Sequence, residues 1–437
     1  MANEKSLNVL ISGFHVGAVT QMEGDQLKFE YAEEWREGRI QIPLSLSMPL
    51  AERMHRHHRI AAFIWGLLPD NEQTLQRWAT RFQVSPRSPF ALISAVGQDC
   101  AGAVQFLLPE AQENSSADRV TTITEQEIGA RLTELRADAA ATRRMGDHGQ
   151  FSLAGAQAKT AFYRDPETGA WGIPEGRIPT THIFKPPMPH LSGQAENEHY
   201  CLKLANLLGI EAANSQVMEF DGQQVIVVER YDRAVRDGKT IRIHQEDMCQ
   251  ALGLMPQKKY ENEGGPGIKE IIGDVLSASN DPAGDTRRFM EANIFNFLIA
   301  GTDAHAKNYS MILGPRSTTT FAPLYDVSSI LPHLGEGETP ADMHDLRLAM
   351  KVGGYYEIEK IMPRHWERCA RAGRFPGEET IAIIRHFIEV LPDMAFKCAV
   401  ECLQEGLTHP ILRRLPDLLA KRAATLRRLY RGESEGL

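Results

Sequence analysis

The apolar run from Arg287 to Ala300 (RRFMEANIFNFLIA) is the strongest local constraint in this 437-residue chain. It is long enough for a buried helix, and Gly301 directly after it is a natural stop. A polar loop follows, Gly301-Thr302-Asp303-Ala304-His305-Ala306-Lys307-Asn308. Tyr309–Leu313 then reads as a strand, Gly314-Pro315 as a turn and Thr318–Phe321 as a return strand, after which comes Leu324-Tyr325-Asp326. A proton acceptor and a metal ligand on one short loop must point into one pocket, and a second carboxylate must arrive from a neighbouring strand. Mg²⁺ takes oxygen ligands and usually only one or two carboxylates from the protein. The bland alternative is a surface loop whose Asp, His and Asn merely make turns.

Length allows two or three domains with sizeable cores. A hydrophobic content of 42% and a charged content of 24% are ordinary for a soluble globular protein. The net charge, 48 minus 57, is −9. That argues against a chain that coats nucleic acid by itself, though not against a local basic patch. The start, MANEKSLNVL, lacks the apolar core of a signal peptide, and no run approaches the length of a transmembrane helix. The six cysteines are scattered without C-x-x-C pairs, as reduced cytosolic cysteines are. The expectation is a cytoplasmic protein with no membrane partner.

Residues 1–110 read as a small mixed unit. It holds a hairpin around Gly13-Phe14-His15, a helix capped by Asp70 or Asn71 and running through Phe82, and a short helix over Pro89–Ala95. Glu110–Asp118 reads as a linker, and Thr124 as the cap of a helix reaching about Ala140. The middle part, about 145–233, is strand-rich, and helical patterns dominate from Glu246 onward, which sets the expected domains at 1–110, 111–233 and 234–437. This is an α+β chain in which a small mixed lobe precedes a larger all-helical one, the two-lobe protein-kinase-like arrangement.

The order Asp303, Asn308, hairpin, Asp326 is that of a protein-kinase catalytic loop, with Asp303 accepting the hydroxyl proton and Asn308 and Asp326 holding Mg²⁺ on the ATP phosphates. A cation for those phosphates is supplied by Lys185, at the end of the alternating strand Thr181–Lys185. Glu198 falls on the apolar stripe of the helix Glu196–Leu208, where a carboxylate is costly unless paired. Lys185 is its expected partner. Val225–Val228 is an unbroken apolar strand leading into Glu229-Arg230-Tyr231-Asp232-Arg233, where Tyr231 is available to pack on adenine. There is no G-x-G-x-x-G and no G-x-x-x-x-G-K-[ST]. The nearest phosphate loop is Ser152-Leu153-Ala154-Gly155-Ala156-Gln157-Ala158-Lys159, whose small residues let backbone N–H groups approach phosphate, although a tight hairpin fits equally.

His55-Arg56-His57-His58 has no Cys or acidic partner at ligand spacing and reads as a solvated segment. Arg413, Arg414, Lys421, Arg422, Arg427, Arg428 and Arg431 make the C-terminal helices basic, which reads first as a solvated face. His305 orients the loop by hydrogen bonding or serves as a base, and orientation is the preferred reading.

Together these residues resemble the HipA family of bacterial serine/threonine kinase toxins. The likeness is carried by Pro43-Leu44-Ser45-Leu46-Ser47, Leu67-Leu68-Pro69-Asp70, Gly102-Ala103-Val104, the SLAGAQAK loop and Thr180–Lys185. It continues through Asn197-Glu198, Val228–Arg233, His244–Gln250, Gly264–Gly267, the Asp303 loop and Tyr325-Asp326. The resemblance implies that Asp303 is catalytic and that Asn308 and Asp326 bind Mg²⁺. It implies that Ala154, Gly155, Ala156, Gln157, Lys159, Lys185, Glu229, Tyr231, His305, Asn308 and Asp326 face ATP. It further implies that Ser152 is autophosphorylated, which ejects the loop and silences the kinase. The implied substrate is an aminoacyl-tRNA synthetase, the glutamyl enzyme first, whose phosphorylation stops tRNA charging and growth. The implied partners are a HipB-like helix-turn-helix antitoxin and, through it, operator DNA. The other readings are a catalytically weak DNA-bound corepressor and a small-molecule kinase.

Overall fold

The computed structural model describes residues 5–109, 118–144, 147, 150–188, 191–335 and 342–430. Most of the expected linker, and Arg431, lie outside them. The chain forms two compact units. One comprises Met1–Pro186, Met218–Lys258 and Ser310–Ala322, and the other Pro187–Val217, Lys259–Tyr309 and Pro323–Leu437.

The first unit opens with a five-stranded antiparallel sheet. Its order is Met54–Arg56, Leu27–Tyr31, Phe14–Gln21, Lys5–Ile11, Val104–Leu107. The hairpin expected at the N-terminus is present, with Ser12 and Gly13 both at positive φ, as a two-residue turn between twisted strands requires. Asn71 caps the helix Glu72–Phe82 by accepting from Gln73 and Thr74 N–H, and Thr124 forms a capping box with Glu127 on Glu125–Ala137. The expectation of a solvated histidine segment fails at His55. That ring is buried on a strand, stacked on Phe29 at 6.3 Å and edge-on to Tyr31 at 5.6 Å. Period-2 alternation turns it inward.

A six-stranded sheet follows, ordered Ser215–Phe220, Gln223–Glu229, His182–Lys185, Thr160–Arg164, Trp171–Glu175, Arg119–Thr122. Phe162, Trp171, Phe184 and Val227 build its core with Ile128 and Leu132 of the helix laid over it. A third sheet joins His244–Asp247 to the hairpin Ser310–Gly314 and Thr318–Phe321.

The second unit is mainly helical, built on Gln194–Leu207, Pro282–Ile299, Pro363–Ala372, Gly377–Gln404 and Ile411–Tyr430. The expectation of an all-helical lobe over 234–437 needs correction, because besides the foreseen hairpin that span carries the strands Lys239–Arg242 and His244–Asp247 and the small hairpin Arg347–Val352 with Tyr355–Glu357. The alternation of this last hairpin is short and interrupted by Gly353-Gly354, which hides a two-stranded ribbon from a periodicity count. Among the described residues, no helix is long and apolar enough to cross a membrane.

His244 shows how tightly the first unit is set. Its Nε2 lies 3.0 Å from the Leu44 carbonyl and its Nδ1 accepts from Ala103 N–H at 3.4 Å. Burial pushes its pKa down to about 4. The unfolded chain, titrating near 6.5, takes up the proton first. This contribution to stability is therefore complete above about pH 6.5 and is lost as pH falls towards 4. By pH 5 the loss is about 2 kcal/mol. Denaturant titrations at pH 7 and pH 5 should show that His244→Gln loses less stability between the two than the wild type does.

Candidate functional site

The helix Pro282–Ile299 carries the apolar run read from the sequence and starts earlier than that run, with Pro282 at its first turn and Asp281 accepting from Gly284 N–H. Ala300, not Gly301, takes the left-handed cap, at φ 53°. Gly301 is needed for space, because a Cβ there would fall 2.4 Å from Asn296 Oδ1. Asn296 is buried and its amide donates to Ala292 O at 3.0 Å and to Tyr309 Oη at 3.2 Å. The end of the helix is held from outside by Arg422, whose Nε donates to Leu298 O at 2.9 Å and Nη2 to Phe297 O at 2.7 Å. These are two of the carbonyls that a helix C-terminus leaves without partners. Arg422 is thus not part of a solvated basic face. Its guanidinium is packed over Phe297, and burial lowers its pKa to about 10.

The loop closes on itself. The Asp303 carbonyl accepts from His305 N–H and from Asn308 Nδ2, both at 2.8 Å. With its amide nitrogen so used, Asn308 keeps Oδ1 as an acceptor. The Asp303 carboxylate is exposed, and Oδ1 accepts a 2.5 Å hydrogen bond from Tyr260 Oη. Ala306 N–H donates to the carbonyl of Lys259, next to that tyrosine. Tyr260 lacked any signal in the sequence, since it lies in a polar stretch without periodicity.

Asp326 comes from a segment pinned at both ends. Leu324 exchanges backbone hydrogen bonds with Glu211 and Ala213. Ser329 N–H donates to Asn197 Oδ1 at 3.1 Å, Asn197 Nδ2 donates to Ser329 O at 2.7 Å, and Ser329 Oγ donates to Ile299 O at 2.6 Å. Between the pins, Asp326 is exposed and sits at φ 58°, the left-handed region that non-glycine residues enter at a cost. His305 links the two carboxylates. Its ring is buried, edge-on to Tyr260 at 4.9 Å, and burial lowers its pKa while Asp303 and Asp326 pull it up and Lys259 pushes it down. Among the described residues, the imidazole Nδ1 has no hydrogen-bond partner. The loop is oriented by backbone, Asn308 and Tyr260 rather than through that nitrogen.

The second unit therefore brings together Asp303, His305, Asn308 and Asp326. A carboxylate that already accepts a hydroxyl stands beside an amide oxygen and a second exposed carboxylate. These are hard oxygen donors of the kind Mg²⁺ takes, so the residues fit that ion.

The first unit holds the other expected residues. Gly155 adopts φ 110°, open essentially to glycine alone. The N–H groups of Ala154, Ala156, Gln157 and Ala158 donate to nothing among the described residues, while Asp70 N–H donates to the Gly155 carbonyl at 3.2 Å. Lys159 Nζ donates to the Ala154 carbonyl at 2.7 Å, and Gln157 Nε2 to the Pro186 carbonyl at 3.1 Å. The loop borders a small pocket lined also by Pro69, Thr74, Trp78 and Phe151. Ser152 is fully buried, its Oγ donating to Leu67 O at 2.8 Å. Lys185 is buried at the end of its strand, opposite Ile226. Glu229 is exposed at the end of the neighbouring strand, and Tyr231 Oη donates to Gln245 Oε1 at 2.9 Å. Glu198, also buried, belongs to the helix Gln194–Leu207 of the second unit.

Residues 7–107 match the HipA N-terminal domain and residues 151–395 the HipA-like C-terminal domain. The chain is 36% identical over 376 residues to a putative kinase of Sinorhizobium fredii, which covers 84% of this chain and 85% of that protein. It is 30% identical over 325 residues to the serine/threonine-protein kinase toxin HipA of Shewanella oneidensis, across 70% of each. Among solved structures, a chain of the Shewanella oneidensis complex of HipA, HipB and operator DNA matches with a TM-score of 0.78. The match covers 96% of this chain and 97% of that one at 23% identity, a likeness of fold.

Gly301→Ala should destabilise the protein by about 1–3 kcal/mol through overpacking against Asn296. Urea denaturation of the variant beside the wild type checks this.

Proposed function

The chain belongs to the HipA family of serine/threonine kinase toxins, and from that premise we propose that it is an ATP- and Mg²⁺-dependent serine kinase that uses Asp303 as its base. The observation that carries the reading is the exposed Asp303 carboxylate already accepting a hydroxyl hydrogen bond, on the same loop as Asn308 and beside the His305 that also feels Asp326. A substrate serine replacing the Tyr260 hydroxyl would give its proton to Asp303 as its oxygen attacks the γ-phosphorus. The bond to the bridging oxygen breaks, and ADP leaves with that electron pair. Asn308 Oδ1 and the Asp326 carboxylate would hold Mg²⁺, which neutralises charge on the phosphates. Lys185 and the open N–H groups of Ala154, Ala156, Gln157 and Ala158 would bind the phosphates, with Glu229 and Tyr231 at the adenine.

Ser152 fits a self-silencing role. In the buried position its oxygen is bonded to Leu67, and a phosphate there would add about −1.5 to −2 charges. The phosphorylated loop cannot occupy that site, so modification removes the phosphate cradle. The proposed target is a serine of an aminoacyl-tRNA synthetase, glutamyl-tRNA synthetase first, with arrest of translation and persistence as the outcome. A HipB-like antitoxin and operator DNA are the proposed partners, by analogy with the complex of the Shewanella protein. That analogy also favours the second reading, a corepressor with a weak catalytic site.

Intact-mass measurement after incubation with ATP and Mg²⁺ separates the readings. The wild type should gain one phosphate, mapped to Ser152, and Asp303→Gln should be slower by about 10²–10⁴-fold. Protein that starts unphosphorylated and gains nothing, yet binds operator with an antitoxin, supports the corepressor instead. Ser152→Ala should stay active longer than the wild type, and Ser152→Asp should bind ATP more weakly. Equal ATP affinity of all three in a calorimetric titration would remove the silencing role.

A further inference from the structure

Among the described residues, His199, Cys402 and Glu405 form a cluster away from the catalytic loop. One ligand atom of each lies within 4.8 Å of the others, with His199 and Cys402 buried and Glu405 exposed. His199 stands on the helix Gln194–Leu207, while Cys402 and Glu405 stand at the end of Gly377–Gln404. The spacing of three residues puts the thiol and the carboxylate on one helical face. Cys398, one turn earlier on the same face, donates weakly to Tyr200 O at 3.4 Å and its thiol contacts that of Cys402.

The hydrogen bonds around the cluster select its atoms. His199 Nδ1 lies 2.9 Å from Ser215 Oγ, a hydroxyl able to accept its N–H, and in that tautomer the Nε2 lone pair is turned toward the cluster. Nε2 then faces Glu405 Oε2 at 2.8 Å. Two acceptors at that distance need a proton or a cation between them. The other carboxylate oxygen, Oε1, is held by Lys203 Nζ at 2.8 Å, and Lys203 is further balanced by Glu401 at 3.1 Å. Oε2 is left for the cluster, and a thiol sulfur converges on it from the helix.

We propose that His199 Nε2, Cys402 Sγ and Glu405 Oε2 form a Zn²⁺ site that cross-links these two helices, with Cys398 or water in the fourth position. Mixed nitrogen, sulfur and oxygen donors suit a borderline-soft, tetrahedral ion rather than Mg²⁺ or Ca²⁺. Bonds of about 2.0–2.3 Å require donors about 3.3–3.8 Å apart, reached here by rotating the exposed Glu405 side chain. Binding displaces the Cys402 thiol proton. The site borders Asn197 in sequence, so its role is to steady the helix that pins the Asp326 segment.

The test uses the full-length protein stripped with a chelator and titrated with Zn²⁺, and with Co²⁺ as a spectroscopic probe. One equivalent of Zn²⁺ should be retained through gel filtration, Co²⁺ should give a thiolate charge-transfer band in the near ultraviolet, and Zn²⁺ should raise the thermal midpoint. Cys402→Ser and His199→Gln should lose the band, and Cys369→Ser, a buried thiol elsewhere, should keep it. Ser215→Ala should weaken Zn²⁺ binding about 10–100-fold, as loss of an orienting partner does. Absence of both retained zinc and the cobalt band in the wild type would mean a histidine–glutamate ion pair only and overturn the proposal. That result does not depend on whether any variant folds.

Discussion

A single buried carboxylate, that of Asp99, organises the first unit. Oδ1 accepts from Arg233 at 3.0 Å and Arg242 at 3.1 Å, and Oδ2 accepts from the Thr180 N–H and hydroxyl at 3.0 and 2.7 Å. Arg230 stands 3.6 Å away and grips Asp232 through two parallel bonds. Burial alone would raise the Asp99 pKa, but the three guanidinium groups hold it well below the usual carboxylate range. Such a cluster adds little net stability over an apolar core, yet removing one partner leaves charge stranded at a cost of about 3–5 kcal/mol. Its effect is on position. The backbone of Asp99 accepts the N–H of Ser152, and its side chain fixes Thr180 at the head of the strand that ends in Lys185. The loop 152–159 and the strand that ends in Lys185 are thereby registered to one residue of the N-terminal domain.

In the second unit the equivalent constraint is the C-terminal end of Pro282–Ile299. Asn296 fills the space that Gly301 leaves, Arg422 takes the last carbonyls, and Ser329 ties the Asp326 segment to Ile299 and Asn197. The backbone strain at Asp326 is tolerated because both flanks are fixed. Preorganisation of this kind places charged groups without reorganisation at the moment of reaction.

Much of this was legible along the chain. The loop order Asp303, Asn308, Asp326 is local and set by chemistry, and the caps at Asn71 and Thr124 follow from the residue types that accept backbone N–H bonds. What was missed is long-range. Asp99 lies 134 residues from Arg233, and Arg422 lies 124 from Leu298. Neither pairing leaves a periodicity or a spacing to read. Arg230, Asp232 and Arg233 sit beside the expected adenine segment, but their side chains serve the Asp99 cluster. His55 was misread because a polar residue type outweighed the strand alternation that buries it.

The sequence by itself determined which elements form and which loop carries the oxygen donors, since helix period, capping and ligand chemistry act over a few residues. Only the tertiary structure decided the hydrogen bond from Tyr260 to Asp303, the left-handed backbone of Asp326 and the closed position of Ser152. Only it brought His199 to Cys402 and Glu405. Each of these depends on segments far apart in the chain meeting with a precision of ångströms, and that precision comes from packing, which no local pattern encodes.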